Sequence, residues 1–179
     1  MGIFDDNKFI EITQEDVKDA VYSSSNLDDR IKQRAFANVI GGRLGIKYLK
    51  SIGFNATNQN SLYTIPAVLK DMDISDINID NIKVDVRIVP NEHFLFVPKA
   101  QYEFNTTPDL YIFLVMSEDL STANFVGAIA PDEVSKSKEV NGYYIVDNGS
   151  LYNENSLKKA LKKSKPKSNL PTNENDIIK

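Results

Sequence analysis

Apolar and polar residues alternate with a period of two from Ile77 to Ile88, so that Ile77 and Ile79, then Ile82, Val84, Val86 and Ile88, share one side, while Asn78, Lys83, Asp85 and Arg87 share the other. That period predicts two strands with one apolar face. Asp80-Asn81 supplies the turn, because Asp and Asn tolerate the left-handed conformation that a two-residue hairpin loop demands. Side chains two apart on a strand point the same way, so Asp85 and Arg87 project together, and the return of the hairpin can bring Asp76 beside them at one edge of a sheet. Val86 faces the core.

The rest of the chain changes period. Thr13 followed by Glu15 and Asp16 predicts an N-capped helix over residues 13–23, broken by Ser23-Ser-Ser-Asn26. Ile31, Ala35, Phe36, Val39, Ile40, Leu44, Tyr48, Leu49 and Ile52 keep helical spacing after Asp28-Asp29 and before Gly53, which predicts a long helix with a C-terminal glycine. Gly41, Gly42 and Gly45 inside it each cost about 1 kcal/mol relative to alanine, so either close backbone packing against a sheet compensates, or the helix is loosened or kinked at Gly41-Gly42. Residues 54–60 read as loop, and 62–69 are ambiguous around Pro66. Strands are expected at 94–97, 109–116, 124–130 and 143–146, a helical turn at 131–134 and a last helix at 155–163. The continuous apolar run 109–116 is that of a central strand buried on both faces.

A chain of 179 residues, 41% of them hydrophobic, can bury a core without staples. It divides into an N-terminal helical segment over 1–27, an α/β domain over 28–164, and a polar, basic tail over 165–179 expected to be disordered. Cysteine is absent, which excludes disulfides and thiolate zinc sites and fits a reducing compartment. Met1-Gly-Ile-Phe-Asp-Asp has no basic, apolar leader character, and no apolar stretch reaches membrane-spanning length, so a cytoplasmic protein without a membrane partner is expected. Residues 1–150 hold 14 basic and 22 acidic side chains, whereas residues 151–179 hold 7 and 3. An acidic body argues against a basic groove for nucleic acid there, and leaves Lys158, Lys159, Lys162, Lys163, Lys165 and Lys167 as the cations able to meet phosphates.

The long helix, the acid-bearing hairpin with Asp76 and Asp85-Val86-Arg87, and the later segments Pro108–Val115 and Phe125–Ile129 resemble the restriction-endonuclease-like nuclease superfamily, whose signature is an Asp followed by Asp or Glu-x-Lys. The resemblance spans about residues 28–162 as a pattern of elements. It implies an α/β fold with a mixed sheet, an antiparallel hairpin, a long N-terminal helix and a C-terminal helix. It also implies a catalytic set of Asp76, Asp85 and Arg87, and Mg²⁺ held by Asp76, Asp85 and the Val86 carbonyl, acting on the phosphodiester bonds of DNA. Arginine stands where the family has lysine, and with a pKa above about 12 it supplies charge and a planar fork but no base. The acids of the helix stop at Asp29. Val84–Ile88 and Asp119–Gly127 also resemble an uncharacterised cyanobacterial protein family, a likeness that implies no activity.

Two readings therefore stand at this point: a metal-dependent nuclease or its inactive descendant, and a noncatalytic interaction or scaffold domain with a protein partner. Under the second, Asp76 and Asp80 cap the hairpin, and Asp85 with Arg87 forms an exposed pair worth less than about 1 kcal/mol. The single histidine, His93, reads as a turn residue beside Asn91 and Glu92. Asp71, Asp73, Asp76 and Asp80 lack the glycine and terminal glutamate of a calcium loop. Tyr102, Phe104, Tyr111, Phe113, Tyr143 and Tyr144 stack bases only if exposed, and strand spacing favours the core.

Overall fold

The structure, a computed structural model, describes residues 9–58 and 77–164, apart from the Arg30 side chain. Strand β1 (Ile10–Glu11) leads into helix α1 (Gln14–Ser24) and helix α2 (Asp29–Ser51). Then come β2 (Thr57–Asn58), β3 (Ile77–Ile79), β4 (Ile82–Val89), β5 (Leu95–Pro98), the one-turn helix α3 (Ala100–Glu103), β6 (Leu110–Met116) and β7 (Thr122–Ile129). The turn α4 (Pro131–Val134), β8 (Lys138–Val140), β9 (Tyr143–Val146) and helix α5 (Glu154–Lys163) complete the order.

The strands form two sheets. The larger has the order β1-β7-β6-β4-β3-β2, and the smaller is β5-β9-β8. Only β4 and β6 run parallel within the larger sheet, so it is mixed. One of its faces buries Ile77, Val84, Val86, Ile112 and Leu114 against Ile40, Leu44 and Leu49 of α2 and Leu157 and Leu161 of α5. The other buries Val89, Tyr111, Phe113 and Ile129 against Leu95, Val97 and Val146 of the smaller sheet. β4 and β6 are thus covered on both sides, which is why β6 tolerates its unbroken run of apolar residues.

The expected hairpin forms. Ile79 pairs with Ile82 around Asp80 and Asn81, whose φ angles of 47° and 76° are those of a two-residue turn. Its place in the sheet differs from expectation, since β4 lies between β3 and β6 and is no edge. Strands β1, β2 and β8 and helix α3 were not expected, because segments of two to four residues carry too little periodicity to register. Residues 62–69 and the tail 165–179 lie outside the described residues.

Both long helices are punctuated as the sequence requires. Thr13 and Asp16 close a reciprocal capping box on α1. Asp28 offers its carbonyl to the Ile31 and Lys32 amides at the start of α2. At its end, Gly53 takes φ 95°, and the Phe54 and Gly53 amides donate to the Leu49 and Lys50 carbonyls, which is the Schellman arrangement. Between these ends the helix is continuous through its glycines.

The glycines bring α2 onto β4. A Cβ on Gly45 would stand 2.5 Å from Val86 Cγ2 and 2.7 Å from Ile77 Cδ1, and one on Gly41 would stand 3.1 Å from the Val86 carbonyl oxygen. Helix α1 is fastened to α2 by charge. The buried Asp16 carboxylate accepts from Arg43 Nε at 2.8 Å and pairs with Lys47. Burial pushes the Asp16 carboxyl up, but the hydrogen bonds from Lys47, Arg43 and Thr13 outweigh it and hold the group well below the usual carboxylate range.

Two outcomes follow. Gly45→Ala gains about 1 kcal/mol of helix propensity and loses about 1–3 kcal/mol to overpacking, so urea denaturation should show a net loss of up to about 2 kcal/mol. Asp16 has a folded pKa below its unfolded value of about 3.9, so its contribution is complete above that value and is lost as pH falls. Asp16→Asn should therefore melt lower than the wild type at neutral pH, and the gap should narrow as pH is taken from 6 toward 2, as followed by circular dichroism.

Candidate buried carboxylate site on strand β4

Val84 and Val86 take the α2 side of β4, so Asp85 and Arg87 point into the space between the two sheets. The Asp85 side chain is 2% exposed. Parallel pairing sets Tyr111 of β6 beside it, and the chain between β4 and β6 passes through β5 and α3, which delivers Gln101 from the opposite layer. Gln101 Nε2 donates to Asp85 Oδ2 at 2.9 Å, and Tyr111 Oη donates to Gln101 Oε1 at 2.6 Å. The amide orientation is the only one in which both bonds have a donor, since the carboxylate has none to offer when ionised.

Arg87 completes the group. Its Nη1 lies 3.5 Å from Asp85 Oδ2, and its guanidinium carbon is 5.9 Å from the centroid of the Phe96 ring. Its side chain is 11% exposed, so this charge pair sits where water screens it little. The Tyr111 phenol is pushed up from its ordinary value, first by burial and then by Tyr102 and Asp85, which keeps it protonated as a donor. Tyr102 is pushed up to about 12, chiefly by burial, and donates to the Pro131 carbonyl at 2.8 Å.

Of the expected site residues, Asp85 and Arg87 are brought together on one face of β4. The exposed surface pair expected under the noncatalytic reading is corrected: the smaller sheet and α3 cover both side chains. Val86 turns its side chain to Gly45, with its carbonyl beside Gly41 of α2. Asp76 lies outside the described residues. Among the described residues, no group of three or more His, Cys, Asp or Glu side chains is placed to hold a metal ion. His93 is an exposed turn residue whose amide donates to Asn91 Oδ1 at 2.9 Å. Tyr111 and Phe113 are core, and Phe104 is exposed.

Gln101 was invisible in the sequence. It stands 16 residues from Asp85 in a one-turn helix, with no motif around it. One signal was present: β6 reads as buried on both faces, so a polar face on a strand paired with it had to be covered too, and a buried carboxylate needs donors. No helix among the described residues is long and apolar enough to cross a membrane.

Removing the donor exposes the cost of the burial. Gln101→Leu takes a hydrogen bond from a charged group and should destabilise by about 1.5–3 kcal/mol in urea, whereas Tyr111→Phe, which removes only the hydroxyl at the far end, should cost about 1 kcal/mol. Equal losses from the two would contradict the placement of the charge at Asp85.

Compared with known proteins, the chain matches no family model, no curated protein and no solved structure.

Proposed function

We propose that the chain is a divergent member of the restriction-endonuclease-like fold in which the Asp85-Val86-Arg87 triplet serves as an internal brace, and that the domain acts by binding as a noncatalytic scaffold. The observation that carries this reading is the enclosure of Asp85, whose Oδ2 accepts from Gln101 and faces the Arg87 guanidinium. A carboxylate that ligates a divalent ion must give its lone pairs to the metal, and a fixed cation at 3.5 Å competes for the same charge. The proposed kinship is supported by the mixed sheet, the β3-β4 hairpin and the long helix packed behind them.

A second reading, Mg²⁺-dependent hydrolysis of DNA, is favoured by the shared face of Asp85 and Arg87. Mg²⁺, when bound, would polarise a phosphate and acidify a water. Asp76, Asp85 and the Val86 carbonyl would be its ligands, and Arg87 would hold a phosphate oxygen through its planar fork. The described donors fit this poorly, because Asp85 Oδ2 is already engaged by Gln101 and the Val86 carbonyl lies against α2.

Supercoiled DNA incubated with Mg²⁺ or Mn²⁺ separates the two. The wild type is expected to leave the plasmid uncut. Asp85→Ala should lower stability by about 3 kcal/mol, the low end for breaking a buried pair, since Arg87 keeps some access to water. Metal-dependent nicking by the wild type that disappears in a folded Asp85→Asn variant would overturn the noncatalytic reading in favour of the second.

A further inference from the structure

Helix α5 divides its residues sharply. Leu157 and Leu161 are buried in the main core, while Lys159, Lys162 and Lys163 lie exposed on the opposite side. At 3.6 residues per turn the leucines and these lysines point about 180° apart, so one face anchors the helix and the other meets solvent. Lys158 is neutralised by Glu154 at 2.5 Å, four residues earlier. Lys159, Lys162 and Lys163 have no ion pair among the described residues, although the first is spaced i,i+3 and i,i+4 from the others, an arrangement in which like charges repel. Their position near the C-terminus offsets part of that repulsion for Lys162 and Lys163 in the last turn, but the benefit does not extend to Lys159 in mid-helix.

We propose that this lysine face docks on the phosphate backbone of duplex nucleic acid. From Lys159 to Lys163 the helix rises about 6 Å and carries three charges, against one phosphate per about 3.4 Å of axis on each strand of a duplex, a spacing that lysine stems fanned over one face can meet on both sides of a groove. The sequence continues the run with Lys165 and Lys167, and residues 151–179 carry a net charge of +4 against −8 for the rest. Helix α2 is also rich in cations, but Arg43 and Lys47 are spent there on Asp16 and Asp19, whereas Lys159, Lys162 and Lys163 stand together on one exposed face. An anionic lipid surface fits less well, because an interfacial helix needs an apolar face to enter the lipid, and both buried leucines of α5 are spent on the core. Lysine ammoniums act as point charges without the planar fork that reads base edges, so the contact is with phosphate and is independent of sequence. The acidic body limits the footprint and makes binding weak and steeply dependent on salt.

This proposal does not rest on whether Asp85 supports catalysis, and the test is run in EDTA so that no metal chemistry enters. Fluorescence anisotropy of a labelled duplex of arbitrary sequence is measured between 50 and 200 mM salt with the full chain and with the triple variant Lys159→Gln, Lys162→Gln, Lys163→Gln. Glutamine keeps helix propensity near that of lysine, and unchanged circular dichroism verifies the fold. The wild type should show a plot of log K against log salt steeper than that of the variant by about 2.7, or about 0.9 for each of three phosphate contacts, and at low salt should bind roughly tenfold tighter or more. Equal slopes and affinities for the two proteins would overturn the proposal. Binding to phosphatidylserine vesicles with none to the duplex would overturn it as well.

Discussion

The approach of α2 onto β4 governs what the rest of this molecule can do. With hydrogen in place of a side chain at Gly41 and Gly45, the helix backbone settles against Val86, and the apolar side of the hairpin is consumed there. Side chains alternate along a strand, so once Val84 and Val86 are committed to the helix, Asp85 and Arg87 have only the opposite side to occupy. That side is closed by the smaller sheet, which places a carboxylate and a guanidinium inside the protein. The hydrogen bonds from Gln101 and Tyr111 and the contact with Phe96 follow from having put charge where little water reaches.

Charge is handled differently on the two sides of the larger sheet. Behind α2, Asp16 is buried but surrounded by Thr13, Arg43 and Lys47, so a carboxylate is made a fastening between two helices. Between the sheets, the Asp85 carboxylate meets the Gln101 amide and the Arg87 guanidinium. At the far end, α5 leaves Lys159, Lys162 and Lys163 to solvent. The acidic balance of the chain and its basic end therefore arise from different elements with different duties, and the net charge alone describes neither.

Much of this was legible in the residues. Asp80-Asn81 announced the hairpin, Thr13 and Gly53 marked helix ends, and the period of 3.6 from Ile31 to Ile52 gave α2. The glycines within α2 pointed to a close approach, and Val86 proved to be what they approach. What could not be read was the layer over Asp85. Alternation states which residues share a face and is silent on what covers it; the cover is assembled from β5, α3 and β9, separated from one another by loops and turns of no particular period. Asp85 and Arg87 consequently looked like a solvated pair, and Gln101 looked like any polar residue of a short turn.

The claim at the centre of this account is that the partners of the Asp85 carboxylate are protein groups and not a cation from solution. Side-chain NMR of the Gln101 amide and the Arg87 guanidinium during a Mn²⁺ titration tests it directly. Both signals should stay sharp, and the Gln101 amide protons should exchange slowly with water, as expected of buried, bonded donors. Selective paramagnetic broadening of these signals at low Mn²⁺, removed by Asp76→Asn, would contradict it and locate an ion at the hairpin.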